Sequence, residues 1–461
     1  MEHLRTATPA PAVEGHPDHL ATFLHDPVGC MAGLHARYGD AAYFRKGAGR
    51  AVFVFAPEYN RQVLNTPEVF YIVSRFPGPR NSAQRRFGKG LFSMNGDEHQ
   101  QHRRMLMPPF KKGHLDSYHE PLVRLVNDRL ATWKAGAVID LIREMKEITL
   151  KMTTSLLFGV ELDDNAHGIE ALFDEWLDTN HVVSFAAQLP VETPPGCYEQ
   201  LLDVATRLEV ALNQLVASRR GWETGKDVLA ILLQARAAGA IGDLEVLGQV
   251  ITTFNAAYHT TTYALTWALF LLAQHPDYLR RVVEAELSPL GGGPPTPAGL
   301  AEMPLLERAT RESLRLLPPV VFLPRITASA TTLAGVDVPV GSMVLVSPYV
   351  TQHRGDIFPE PNRYDPDRWQ TGVSPYAYLP FGGGHRLCIG APFAQNVLKI
   401  ALAIILQRFR LEVVPGSVID RHGTLTLGAK DGVPVRLHEP DGNFTASPVA
   451  GTIREMVDLP T

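Results

Sequence analysis

Apolar residues recur along this chain with two different spacings, and the switches between them mark its elements. Residues 51–55, Ala-Val-Phe-Val-Phe, form a compact β-branched and aromatic run that predicts a strand, with a helix beginning near Pro57. From about residue 98 to residue 287 the spacing is helical, interrupted near residues 189–196 by Pro190, Pro194 and Pro195. Helical signals resume to Leu317, and short strand-like runs follow at 320–326, 332–338 and 342–347. The apolar block 398–406 is too short to span a membrane and is broken by Lys399, so it reads as a buried helix. Residues 425–437 look like a hairpin, and the weakly patterned tail 438–461 is expected to be loosely held. The whole predicts a mainly α fold with a smaller β-rich region.

Glycine and proline qualify that picture in three places. Residues 76–90 combine turn formers with arginine and little periodicity, which predicts a long functional loop. Residues 288–300 (SPLGGGPPTPAGL) pass equally for a linker or a plain loop, and 356–368 is a proline-rich loop. No internal repeat is present.

Composition narrows the class. The 461 residues are 45% hydrophobic and 20% charged, as in soluble globular proteins. Length alone allows about three domains of roughly 150 residues, or one large fold. With 43 Lys+Arg against 48 Asp+Glu the net charge is −5, which disfavours nucleic acid as the main partner. Neither a signal-peptide core nor a membrane-spanning run occurs, so no membrane anchor is expected. Cys30, Cys197 and Cys388 are odd in number and far apart, which argues for a reducing, cytoplasmic compartment over a disulfide framework.

One cysteine has a setting. Residues 381–390 read Phe-Gly-Gly-Gly-His-Arg-Leu-Cys-Ile-Gly, just ahead of the apolar helix. Successive glycines let backbone approach a flat ligand, and the unpaired N–H groups at a helix start favour a thiolate at Cys388. Arg386 adds positive charge or grips a carboxylate. A second nearby cysteine is lacking, so a redox Cys-x-x-Cys or a zinc site is disfavoured. Phe381, Gly384, Arg386, Cys388 and Gly390 match Phe-x-x-Gly-x-Arg-x-Cys-x-Gly in full, and this resembles the haem-binding signature of the cytochrome P450 family.

The resemblance extends over about residues 40–437 as one composite domain, between an N-terminal segment 1–39 and the tail 438–461. It implies β-rich parts near 40–70, 318–350 and 410–437, with helical parts over 85–317 and 380–410. Cys388 would be the metal ligand of haem b, framed by Phe381, Gly382 and Gly390. Glu312 and Arg315 sit at i and i+3 on one helical face. The same spacing at Glu2/Arg5, Glu58/Arg61 and Glu360/Arg363 shows how readily it arises on solvated surface. By position, Glu312, Arg315 and Arg368 resemble the family's buried structural triad. His99 and Arg103, one turn apart, together with Arg325 and Arg386 match positions that reach the haem propionates. A zinc reading of His99 and His102 has no third ligand at motif spacing.

Residues 256–260, Ala-Ala-Tyr-His-Thr, lie in a long helical stretch of about 244–274 and align with the family's oxygen-activation segment. There Thr260, with His259 and Thr261 beside it, would handle protons. Ala257 replaces the usual glycine and His259 the usual acid, although histidine still relays protons near neutral pH. Pocket candidates by analogy are Phe92, Phe254, Ala256, Ala257, Val320, Val321, Phe322 and Leu425, a mainly apolar set that suits a terpenoid, steroid, fatty acyl or polyketide substrate.

The implied activity is a haem-thiolate monooxygenase of secondary metabolism, with O2 as co-substrate and hydroxylation as its chemistry. The chain carries no flavin or iron–sulfur segment, so the electrons are expected from a separate ferredoxin with its reductase or a flavodoxin. Arg104, Lys111 and Lys112 are a candidate docking patch. A monomer is expected. A peroxide-driven or non-redox catalyst and a non-catalytic haem or lipid carrier are the alternatives.

Overall fold

In the computed structural model, residues 9–46, 49–72, 76–161, 168–186 and 195–460 are described. Pro190 and Pro194 of the expected interruption, and the Glu2/Arg5 pair, lie outside them. The chain is mainly helical. Its longest helix, Asp243–Gln274, runs through the core against the helices Leu141–Lys151, Pro304–Leu316 and Ala391–Arg408. Toward its C-terminal end almost every side chain is buried. In its middle, Thr252, Asn255, Ala256, Ala257 and Thr260 are only half-buried, so one face of the helix is left open there.

The β structure is small and collects distant parts of the chain. A six-stranded sheet orders Val13–Glu14, Ala41–Lys46, Gly49–Val54, Met343–Val346, Leu323–Thr327 and Phe70–Tyr71. The run at 51–55 is central in it, pairing with Met343–Val346 in parallel, and the helix after it is Pro57–Asn65. Residues 398–406 are buried within Ala391–Arg408, and Lys399 reaches Glu307 at 2.7 Å. Among the described residues no helix is long and apolar enough to cross a membrane.

Several expectations change. The 76–90 loop contains a helix, Ala83–Phe87, whose first turn is capped by Ser82 accepting from Arg85 N–H. Gly90 and Gly248 explain how this segment docks. A Cβ on Gly90 would lie 2.0 Å from Gly248 O, and one on Gly248 only 2.3 Å from Lys89 C. Loop and long helix therefore touch backbone to backbone, and Leu91 N–H donates to Gln249 Oε1 at 3.0 Å.

The single run expected at 332–338 is two strands, Thr331–Leu333 and Val336–Val338, reversed at Ala334 and Gly335, both with positive φ. Residues 425–437 are not one hairpin either. Leu427–Ala429 pairs back with Arg421–Gly423, while Pro434–His438 joins Arg410–Val413 and Val138–Asp140, a strand inside the region read as helical. Residues 288–300 form an internal connection that includes the short helix Pro297–Ala301.

The tail is not loosely held. Ile453, Met456 and Val457 have no exposed surface, and Asp458 N–H donates to Asn362 O at 2.8 Å. Arg421 gathers Asp26 and Glu455 around one guanidinium, joining the cap of the helix Pro27–Tyr38, the hairpin of Arg421–Gly423 with Leu427–Ala429, and the tail. Apolar residues too sparse to show a period still bury well when the surface they meet is already folded. Three such side chains contribute roughly 1.5–3 kcal/mol each, so a chain ending at Glu439 is expected to lose about 5 kcal/mol or more. Urea unfolding at matched haem content measures this, and an unchanged midpoint would refute the burial argument.

Candidate active site

Cys388 lies at the end of a tight loop whose shape is set by backbone bonds. Its N–H donates to Phe381 O at 2.9 Å, and Gly382 N–H donates to Leu379 O at 3.0 Å. The glycine most constrained by packing is Gly384. Its φ is +63°, and a Cβ there would lie 2.1 Å from Leu64 O. This glycine serves contact with the helix Pro57–Asn65, whereas a Cβ on Gly382 or Gly390 meets nothing closer than 3.8 Å. The sulfur receives the backbone N–H groups of Gly390 and Ala391 at the start of the next helix. Burial nevertheless outweighs those donors and the Arg103 charge, and pushes the thiol up.

Around the cysteine loop stand Arg103, Arg325, Arg386 and His99. Arg325 is 5% exposed and, among the described residues, donates only to Pro324 O. Burial, then Arg386, push its guanidinium down to about 10. Arg386 reaches the carbonyls of Leu91 and Met94 and Asn95 Oδ1, and burial with Arg103 holds it at about 10. Arg103 donates to Leu387 O at 2.7 Å. Burial, Arg386, Arg103 and His385 push His99 down to about 3. Among the described residues no carboxylate pairs with any of these three arginines. Such a cluster is short of negative charge, and a group that carries two carboxylates and accepts a sulfur ligand would fit it. No group of three His, Cys, Asp or Glu side chains converges as metal ligands among the described residues.

Behind the loop, Glu312 receives five hydrogen bonds. Arg315 Nε and Nη2 donate at 2.9 and 2.8 Å, Arg368 Nε and Trp369 Nε1 at 2.9 Å each, and Asp365 N–H at 3.0 Å. Arg315 is itself fully buried and spends its remaining N–H groups on the carbonyls of Gln352, Pro361 and Arg363. Gln352 then carries the order forward: its nitrogen donates to Leu314 O and Arg315 O, and its oxygen accepts from Leu379 N–H, two residues before Phe381. The Glu360/Arg363 pair of identical spacing is an exposed ion pair.

On the long helix, Thr260 Oγ1 donates to Ala256 O at 2.6 Å. Thr261 is buried, and so is His259, which points away from the open face. His259 Nε2 meets Asp174 Oδ1 at 2.6 Å, and Lys146 pairs with the other carboxylate oxygen. Burial alone would raise the Asp174 carboxyl, but these partners hold it below its usual range.

A cavity of about 130 Å³ lies beside the open face. Of the eight pocket candidates, Phe92 and Leu425 line it; Phe254, Ala256, Ala257, Val320, Val321 and Phe322 do not. Phe254 stacks on Phe173 at 4.1 Å, and Val321 and Phe322 are fully buried. The walls that sequence reasoning missed include Trp176, Leu177, Asn180, Ser184 and Phe185, on the helix Ile169–Ala186, with Ile251, Thr252, Asn255, Pro324 and Met343. A helix facing a cavity has the same apolar stripe as one facing a core; the extra Asn and Ser on that stripe were the available signal.

A mainly helical fold joined to a glycine-framed cysteine and a cluster of one buried and two half-buried arginines defines a class of cofactor-holding proteins. A family model described as Cytochrome P450 matches residues 19–430. Relatives include a cyclooctat-9-en-7-ol 5-monooxygenase and a cyclooctatin synthase of Streptomyces melanosporofaciens. The first is 32% identical, covering 87% of this chain and 88% of the relative; the second is 30% identical, covering 89% and 91%. A pentalenene oxygenase of Streptomyces avermitilis is 30% identical, covering 90% and 94%. Cyanobacterial CYP120A1 with retinoic acid bound shares the fold at a TM-score of 0.79 and 24% identity, over 94% of this chain and 100% of that one. The heme domain of cytochrome P450DA does so at 0.79 and 22%, over 96% and 100%. The chain belongs to the cytochrome P450 family and is an oxidoreductase of its monooxygenase class; the family implies a haem-thiolate cofactor.

Replacing Glu312 by Gln keeps its size but removes the charge that two guanidinium groups share. Uncompensated buried charge costs about 3–5 kcal/mol, so E312Q is expected to unfold at markedly lower urea and to retain little haem. Wild-type haem content together with an unchanged unfolding midpoint would show that the carboxylate is dispensable.

Proposed function

We propose that this protein inserts one oxygen atom from O2 into a neutral, hydrophobic small molecule of terpenoid type, with electrons from a separate ferredoxin or flavodoxin. The observation that carries the substrate class is the cavity: it opens beside the long helix that bears Thr260, its walls include Phe76, Phe92, Trp176, Phe185, Met343 and Leu425, and no lining residue is charged. The names of the Streptomyces relatives support a terpenoid skeleton.

In this reading Cys388 would hold the haem through its sulfur, and Phe381, Gly382 and Gly390 would shape the loop that presents it. His99, Arg103, Arg325 and Arg386 would hold the two carboxylates of the haem, which would relieve the charge imbalance of their cluster. The bound haem supplies the redox chemistry that activates O2. The protein's own task is then to seat the substrate, exclude water and deliver protons. Because the Thr260 hydroxyl proton is held by Ala256 O, its lone pairs face the open side as acceptors. His259 is turned toward Asp174, which Lys146 also meets, so Thr260 is the residue of this segment left at the open face. The methyl group of Ala257 narrows the helix groove beside this hydroxyl. Arg104, Lys111 and Lys112 are exposed and have no acidic partner among the described residues, which suits docking of an acidic electron donor.

Two measurements test this reading. The reduced protein with carbon monoxide should show the thiolate-shifted Soret band, and Cys388→Ala should abolish it; persistence of the band in that variant excludes Cys388 as ligand. Thr260→Ala should divert electrons from product to peroxide and lower coupled turnover roughly tenfold to a hundredfold. Unchanged coupling removes Thr260 from the mechanism, and turnover supported by peroxide alone removes the monooxygenase assignment.

A further inference from the structure

Four polar side chains interrupt the apolar wall of the cavity: Asn180, Ser184, Thr252 and Asn255. The orientation of Asn180 is fixed by its neighbours. Trp176 Nε1 donates to Gln84 Oε1 at 2.8 Å. An indole N–H is a donor only, so Gln84 must present its carbonyl to Trp176 and its amide nitrogen on the other side. That nitrogen donates to Asn180 Oδ1 at 2.7 Å, and Ser184 Oγ donates to the same oxygen at 3.2 Å. Gln84 is fully buried. Flipping either amide would set donor against donor, a cost borne without water to relieve it.

The carbonyl of Asn180 is therefore occupied, and its NH2 group is the half left over. Neither N–H has an acceptor among the described residues, and the side chain is half-buried at the cavity wall. Asn255, on the long helix, also lines the cavity and makes no side-chain hydrogen bond among the described residues. Donors without acceptors, in a cavity lined by aromatic rings, select a ligand that brings the acceptor. Since no lining residue is charged, a carboxylate would enter without a counter-charge; a ketone, hydroxyl or ether oxygen matches instead.

We infer that Asn180 determines specificity by donating to a neutral oxygen that the substrate already carries, with Asn255 as the second polar contact. The inference deepens the proposed function and rests on it for the fate of the bound molecule. Asn255 lies five residues from Thr260, roughly 7.5 Å along the helix axis, so the recognised oxygen and the carbon to be oxidised sit on different parts of the skeleton. The enzyme thus acts late: its substrate is supplied by a reaction that leaves oxygen on a hydrocarbon, either a cyclisation ended by water or an earlier oxygenation.

The test uses holoenzyme and a set of N-alkylimidazoles of graded length whose tails end in a methyl group, a methyl ketone or a hydroxyl. Imidazole binding to the iron shifts the Soret band, so affinity is read without turnover. In the wild type the best ketone and hydroxyl tails should bind roughly tenfold tighter than the matched methyl tail. Asn180→Asp keeps the acceptor for Gln84 and Ser184 but replaces the free donors by a carboxylate. It should lose the ketone preference and keep the hydroxyl preference, because a hydroxyl can donate. Asn180→Leu should lose both. A ketone preference absent from the wild type, or persisting in N180D, overturns the inference. Failure of the haem reading has a separate signature, the absence of any Soret shift with imidazole itself, and the tail preference is then read by calorimetry with the same outcomes.

Discussion

A buried carboxylate, that of Glu312, is where two otherwise separate pieces of chain, the helix Pro304–Leu316 and residues 365–369, are made to agree. Desolvating such a group is costly unless each lone pair is met, and five donors from Arg315, Asp365, Arg368 and Trp369 meet them. Four of the five come from charged or indole N–H groups, which fix direction as well as distance. Because Arg315 continues to Gln352 and Gln352 to Leu379, the register of the cysteine loop follows from a pair of charges far outside it. A hydrophobic replacement of the same volume could be as stable, but it would not dictate where Leu379 sits.

Electrostatics is complementary on the two sides of the site. Next to the cysteine the protein accumulates positive charge in a desolvated place, visible as arginines held near 10 and a histidine near 3. Across the long helix it accumulates none, and the cavity relies on aromatic surface and two amides. The long helix separates these regimes. Its buried side carries His259 to Asp174, its open side carries Thr260, and the i to i−4 bond from Thr260 to Ala256 keeps that hydroxyl from competing as a donor.

How much of this could be read from the amino-acid order depended on whether the relevant residues are contiguous. The Cys388 loop and the Glu-x-x-Arg helix are local patterns, and their identities carry their geometry. The walls of the cavity are assembled from six or more segments, and a side chain such as Phe254 satisfies the same periodicity whether it meets a ligand or Phe173. His259 aligned with an acidic position yet faces a neighbouring helix, because a spacing of one residue turns about 100° around the axis. The strand Val138–Asp140 has three residues and no alternation long enough to detect, and it exists only because Pro434–His438 offers it an edge. The hairpin at 331–338 hid behind Ala334 adopting a positive φ that sequence rules reserve for glycine.

The guanidinium of Arg421 has a consequence for the order of assembly. It joins Asp26, 395 positions earlier in the chain, to Glu455 near the other end. Contacts of that sequence separation close late, since the loop entropy must be met before they form. The segment around 449–458 also seals Ile419 and Asn362 by backbone bonds. A polypeptide emerging from the ribosome therefore holds the helix Pro27–Tyr38 and the strand Arg421–Gly423 unfastened from each other's shared partner until residue 455 has been made.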